Sequence, residues 1–385
     1  DILSGLVGSE MCIRDRYMIS TGSMFSHIEC TSCKKTFSKD EILKLCPVDD
    51  CGKVLFPKYD LDFDKSRKSI DDLKNREPNM WRYKEFLPVN FEENIISLGE
   101  GFTPILNAKN LAFDLGINKL LIKDESLNPT SSFKARGLSA AVSKAKEFGI
   151  KKFSIPTAGN AGGALSAYAA KGNLESYVFM PKDAPQANKT EVKYFGSNLE
   201  LIDGYINDAG KRSLEQSSNL NLFDVSTLKE PYRVEGKKTM GYEIAEQLNW
   251  NLPDHIIYPT GGGTGIIGIW KAFQELSEIG MIESDLPKMI CVQADGCSPV
   301  VDAYLKGKKY AELFKKPATI AAGMRVPIAV GDYLIINSVN QSNGTALKIN
   351  DKDMVEGVKK MSSKEGIFCA PEGGSIVSAA IKLIS

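Results

Sequence analysis

The sequence predicts an α/β protein: two open α/β domains with parallel or mixed sheets, preceded by a small cysteine-rich head. Three observations predict it. From about residue 119 onward, short β-rich runs alternate with helical patterns. Those runs are continuously apolar, as strands buried on both faces are, and helical crossovers between them imply a parallel sheet. Two closely spaced cysteine pairs lie before residue 60, set apart from the alternating region.

Taken in order, KLLIK (119–123) reads as a strand before a helix opening near Ser132. KKFSIP (151–156) precedes a helix starting at Asn160, and SYVFMP (176–181) precedes one near Gln186. NLELI (198–202) leads into a further helix, and NLFDV (221–225) follows it. HIIYP (255–259), MICVQA (289–294) and GIFCAP (366–371) complete the predicted strands. Open sheets bind ligands at the carboxyl ends of their strands, in the loops that enter helices.

Composition narrows the function. A length of 385 residues suits two domains, and 43% hydrophobic with 25% charged residues is ordinary for a globular chain. Lys and Arg together number 48, as do Asp and Glu, so neither a nucleic-acid face nor an acidic tail is expected. No apolar run approaches the roughly 18–20 residues of a membrane span. Cys12, Cys291, Cys297 and Cys369 are scattered, which points to a reducing cytoplasm rather than a disulfide framework. His27 and His255 are the only histidines. Neither is set as the base of a Ser-His-Asp or Cys-His hydrolase, and no His/carboxylate cluster offers a catalytic metal site. Lysine or a cofactor must carry the chemistry.

Residues 1–17 match nothing that follows, and GSEMCIRDR within them resembles translated sequencing adapter, which would put the start at Met18 or Met24. Acidic and basic residues break any apolar core there, so it is no signal peptide. The chain stops within an apolar helical pattern, IVSAAIKLIS, which reads as a shortened C-terminus. Cys30, Cys33, Cys46 and Cys51 form C-x2-C-x12-C-x4-C. This spacing suits a small ribbon closed by structural zinc, although the second pair is wider than the usual knuckle; a decayed ribbon with reduced thiols is the alternative.

Four loops carry the chemical signals. In Asn128–Pro129–Thr130–Ser131–Ser132–Phe133–Lys134, either serine can cap a helix and put Lys134 in its first turn. The positive end of the helix dipole disfavours a lysine charge there, and imines form from the neutral amine. In Pro156–Thr157–Ala158–Gly159–Asn160–Ala161–Gly162–Gly163, small residues leave backbone N–H groups free for an anion or a ring. Gly261–Gly262–Gly263–Thr264–Gly265 follows a strand and opens a helix, so its amides and the Thr264 hydroxyl can wrap one phosphate. It is neither a dinucleotide nor a nucleotide-triphosphate fingerprint, and a phosphate monoester fits it. Pro371–Glu372–Gly373–Gly374–Ser375 is the fourth loop, with Ser375 as a polar candidate.

Together the motifs resemble the tryptophan-synthase-β-like group of pyridoxal 5'-phosphate (PLP) enzymes, and within it the threonine synthase family. The carrying segments are SLGEGFTP (97–104), KDESLNPTSSFKARG (123–137), TAGNAGGALSAYAAKG (157–172), EPYRVEGKKTMGYEIAEQL (230–248), PTGGGTG (259–265) and AGMRVP (322–327), with the cysteine head. They run in the family's order over about residues 28–385. The resemblance implies Lys134 as the Schiff-base lysine and Asn160 as the partner of the cofactor's phenolate oxygen. It implies residues 261–265 as the phosphate cup and Ser375 beside the pyridine nitrogen. Arg233, and with it Lys237 or Lys238, would clamp a substrate phosphate, with Ser132 and Thr157 as further substrate contacts.

The implied reaction converts O-phospho-L-homoserine and water to L-threonine and phosphate, with the freed Lys134 amine removing the Cα proton. The implied protein is a cytoplasmic homodimer acting on a small amino acid. Its implied organisation is a zinc-ribbon-like head at 25–60, a large domain from 80–136 and 233–385, and a small domain at 137–232. The sequence also departs from the family. Ser131 stands where glycine is usual, Ala135 where many threonine synthases have aspartate, and Ala161 where many have threonine. LKEPYR lacks the usual serine and asparagine while keeping Arg233, and FKARG is closer to threonine dehydratases and serine racemases. Those departures leave open a threonine or serine dehydratase, a replacement enzyme such as a cysteate synthase, or a silent PLP-binding paralogue. A phosphosugar-binding enzyme without PLP is a further rival, and it would be colourless.

Overall fold

The computed structural model describes residues 18–282 and 285–384, and the adapter-like run at 1–17 lies outside them. The head is a three-stranded antiparallel sheet, with Phe25–Cys30 between Thr36–Ser38 and Leu55–Tyr59. Its inner residues Phe25, Ile28 and Leu55 are buried in one cluster with Leu138 and Val142 of helix Lys134–Glu147. The head is therefore docked on the body, because so small a sheet cannot bury a core of its own.

Two parallel sheets form the body. In the first the strand order is Asn198–Ile202, Glu175–Pro181, Lys152–Pro156, Phe223–Asp224. Helices Asn160–Lys171, Gln186–Tyr194 and Ile206–Leu220 make its crossovers. In the second, Lys288–Ala294 lies between His255–Pro259 and Thr345–Ile349. Helix Thr264–Glu278 crosses from the first of these strands, and its apolar face joins Tyr242, Met240 and Ile335 in a second core. Among the described residues no helix is long and apolar enough to cross a membrane.

Two predicted strands come out differently. KLLIK contributes only Leu121–Lys123, which pairs antiparallel with Ile105–Asn107 outside the parallel sheets. GIFCAP is not a strand. Gly366, at φ +70°, caps helix Asp351–Glu365 in the left-handed conformation that glycine tolerates, and Pro371 starts helix Pro371–Ile384. The segment between the two helices is too short to pair, and Thr345–Ile349, which the sequence reading passed over, takes the place in the sheet.

Candidate active site

Lys134 is the first residue of helix Lys134–Glu147. Phe133, not a serine, is the N-cap residue, and the Ser132 hydroxyl just before it accepts the Lys134 backbone N–H at 3.1 Å. Ahead of it Thr130 and Ser131 both hold left-handed backbone, at φ +60° and +51°. The partly buried Lys134 side chain puts Nζ 3.9 Å from the centroid of the Phe133 ring. Burial, joined by the Arg233 charge and opposed by Glu372, lowers its pKa to about 7. A large fraction of the amine is thus neutral near physiological pH, as imine formation requires.

A backbone-to-backbone crossing fixes this helix against helix Arg233–Gln247. A Cβ on Gly236 would stand 2.0 Å from the Arg136 carbonyl oxygen, and one on Gly137 would stand 2.8 Å from that of Arg233. Only glycine fits at that spacing. Beside the crossing, the fully buried Arg136 bonds Glu125 at 2.7 Å and Glu243 at 2.7 Å, and Lys123 adds a contact to Glu243 at 2.8 Å.

The glycine loop has the features of a phosphate cup. The amides of Gly261, Gly262 and Gly263 and the Thr264 hydroxyl find no hydrogen-bond partner among the described residues. They stand at the N-terminal end of a 15-residue helix. Close packing requires the glycines. A Cβ on Gly261 would lie 2.4 Å from the Gly323 carbonyl, and one on Gly265 would lie 1.9 Å from the Tyr258 hydroxyl. Tyr258 also meets the Phe133 ring edge-on at 6.2 Å, which joins the cup to the lysine loop. Glu372 accepts the Gly323 N–H at 2.7 Å, and this brings the fourth loop to the same place.

Arg233 is buried; its Nη1 donates to the Val225 carbonyl at 2.6 Å and its Nε has no partner among the described residues. Nη1 lies 3.5 Å from the Thr227 hydroxyl, and the Thr227 methyl would stand 2.8 Å from a Cβ on Gly262. The guanidinium therefore borders the cup. Glu230 accepts the backbone N–H groups of Tyr232 and Arg233, and burial pushes its pKa up to about 7.

The other predicted residues are engaged locally. The Thr157 hydroxyl accepts the Gly159 N–H at 3.0 Å, and exposed Asn160 accepts from Asn188 at 3.0 Å. Ser375 is buried and donates to the Glu372 carbonyl at 2.7 Å. Lys237 does not line the cup: it is fully buried and its amine donates to the Phe133 carbonyl. Lys238 lies in a buried cluster, 2.7 Å from Glu235 and 2.9 Å from Glu275, and Lys271 bonds the same two acids.

In the head, the Cys30 and Cys51 sulfurs are 3.6 Å apart and those of Cys33 and Cys46 are 3.7 Å apart. All four lie within 4.8 Å of one another. Thiolates at about 2.3 Å from a tetrahedral zinc stand about 3.8 Å apart, so the set fits that ion.

Sequence reasoning missed Arg136, Glu125, Glu243 and Tyr258. The first three sit inside quoted motifs, but charged residues on helices read as solvated until a tertiary partner is known. Tyr258 is hidden in an apolar strand run.

A sequence profile of the pyridoxal-phosphate-dependent enzyme family matches residues 96–385. A threonine synthase from Methanocaldococcus jannaschii is 36% identical over 92% of this chain and 87% of its own. One from Methanosarcina acetivorans is 32% identical over 93% and 87%. Among solved structures, maize serine racemase superposes with a TM-score of 0.64 at 20% identity, over 84% of this chain and 87% of its own, which bears on the fold. The fold is that of a PLP-dependent enzyme, and the chain belongs to the threonine synthase family.

Proposed function

We propose that the protein converts O-phospho-L-homoserine and water to L-threonine and phosphate, with Lys134 as its Schiff-base lysine. The observation that carries the reading is a Lys134 amine held near neutrality beside a loop of free amides and a buried guanidinium. Pyridoxal phosphate, when bound, supplies a conjugated ring that accepts electrons from the amino acid's Cα. The amides of Gly261, Gly262, Gly263 and Gly265 and the Thr264 hydroxyl would hold its phosphate. Asn160 would meet its phenolate oxygen, and Ser375 its pyridine nitrogen.

Lys134 would hold the cofactor through Nζ, and its amine, when free, would take the Cα proton. A pKa of about 7 suits both tasks, since the amine is neutral enough to attack and basic enough to accept. The Arg233 guanidinium, with an unpartnered Nε, is the residue for the substrate's phosphate. Ser132 and Thr157 would be further substrate contacts. Cys30, Cys33, Cys46 and Cys51 would hold structural zinc, and the working form is a cytoplasmic homodimer.

The test is phosphate release from O-phospho-L-homoserine by the PLP-loaded protein, with threonine assayed in the same tube. Equal amounts of phosphate and threonine are expected, and neither from Lys134→Ala. A yellow, Lys134-linked protein that releases no phosphate would overturn the substrate; a normal imine spectrum in Lys134→Ala would overturn the lysine.

A further inference from the structure

We propose that Lys237 is a positioning residue for Lys134: it fixes the carbonyl immediately before Lys134 and sets a second, uncharged amine against the first, so that Lys134 keeps its proton affinity only while position 237 carries no charge. The proposal rests on Lys134 being the lysine that holds the cofactor.

The two amines share one aromatic ring. Lys134 Nζ is 3.9 Å and Lys237 Nζ 4.2 Å from the centroid of Phe133. Lys237 also donates to the Phe133 carbonyl, which tethers helix Arg233–Gln247 to the peptide unit from which Lys134 springs. Its path runs over Gly137, where an added Cβ would come 3.0 Å from the Lys237 Cε. The glycine in FKARG thus leaves room for the lysine in VEGKKT as well as for the helix crossing. A lysine serving the substrate would leave its amine at the cup, whereas this one is enclosed on every side.

The surroundings make the pair electrostatically tight. Lys237 faces Lys134, Arg233 and Arg136 as cations and Glu125 as an acid, while Lys134 faces Arg233 and Glu372. Burial, reinforced by those cations, drives the Lys237 amine well below its ordinary range. Two amines in one enclosed space oppose each other's protonation, and the effect is reciprocal. Lys237 is the amine driven further down, so it is uncharged while Lys134 titrates; a fixed cation in its place would disfavour a cation at Lys134.

The test follows the rate of imine formation when apoprotein is mixed with pyridoxal phosphate, from pH 5 to 10. Borohydride fixation and peptide mass analysis identify the labelled lysine. Lys237→Met keeps the length of the side chain and adds no charge, so the pH midpoint should stay at that of the wild type. Lys237→Arg puts a fixed cation there, so its midpoint should fall by about one unit. The cofactor's own titration is common to all three proteins and cancels in the comparison. Thermal unfolding verifies the fold, and Lys237→Gln takes the place of Lys237→Met should that variant not fold. An unchanged midpoint in Lys237→Arg, or a shifted one in Lys237→Met, with the label still on Lys134 overturns the proposal. A wild-type label on some other lysine overturns the assignment of Lys134 instead.

Discussion

The carboxylate of Glu230 accepts the backbone N–H of Arg233 at 3.1 Å, so a buried acid sits at the base of the residue placed to meet an anion. Burial raises the Glu230 pKa to about 7, against about 4.3 in an unfolded chain. The native state therefore holds a proton that the unfolded chain releases. The stability contribution is fully present below pH 4.3 and is lost progressively as pH rises to about 7. Glu230→Gln should flatten that decline and leave the variant more stable than wild type at pH 8, by a margin on the order of 2–3 kcal/mol. Urea unfolding of both proteins at pH 5, 6, 7 and 8 measures it. Parallel pH curves would contradict it.

Left-handed backbone at Ser131 puts a second prediction beside Lys134. An L-residue there bears a steric penalty of roughly 1–2 kcal/mol that glycine escapes, partly offset by glycine's greater freedom when unfolded. The exposed Ser131 side chain gives up little packing on removal. Ser131→Gly should accordingly stabilise the protein by about 0.5–1 kcal/mol in chemical denaturation. A loss of stability would mean that the hydroxyl holds the loop.

Removing charge from the Arg136 cluster should act in the opposite direction. Glu243 is fully buried between Arg136 and Lys123, and those two cations hold its pKa down at about 2 against the opposing effect of burial. Glu243→Gln leaves Glu125 to face both cations and should destabilise by about 3–5 kcal/mol. Because Arg136 sits two residues beyond Lys134, PLP affinity should fall as well. Unchanged affinity at reduced stability would separate the cluster from the site.

The cysteine head supplies a prediction about metal. Its Tyr59 donates to Glu235 at 2.7 Å, and its Thr31 hydroxyl lies 2.6 Å from that of Tyr333. Metal analysis should find about one zinc per chain, lost in Cys33→Ser/Cys46→Ser. Chelation should lower the melting temperature of the wild type by several degrees and leave the double variant unmoved. Equal melting temperatures with and without chelator would argue for a ribbon that stands without the ion.

Much of this site is legible in sequence because glycine and proline leave a local mark. PTGGGTG after an apolar strand announces an anion loop without any knowledge of neighbours, and Ser132 ahead of Lys134 announces a helix start. The strand HIIYP is legible as an unbroken apolar run ahead of the glycine loop, although it lies at the sheet edge and its residues are only half-buried or exposed. GIFCAP has the same apolar look but lies between two helix caps, and only tertiary context decides that. Lys237 misled for a comparable reason. A lysine beside Arg233 on one helix turn suggests a shared ligand, yet the side chain crosses Gly137 and ends on another segment.

The Gly137–Gly236 crossing has a consequence for how this sequence can vary. The obstacle to a side chain at 236 is a main-chain oxygen at 2.0 Å, which no replacement elsewhere can trim. Segments a hundred residues apart are thereby locked as one part, and drift in either is barred where the other passes.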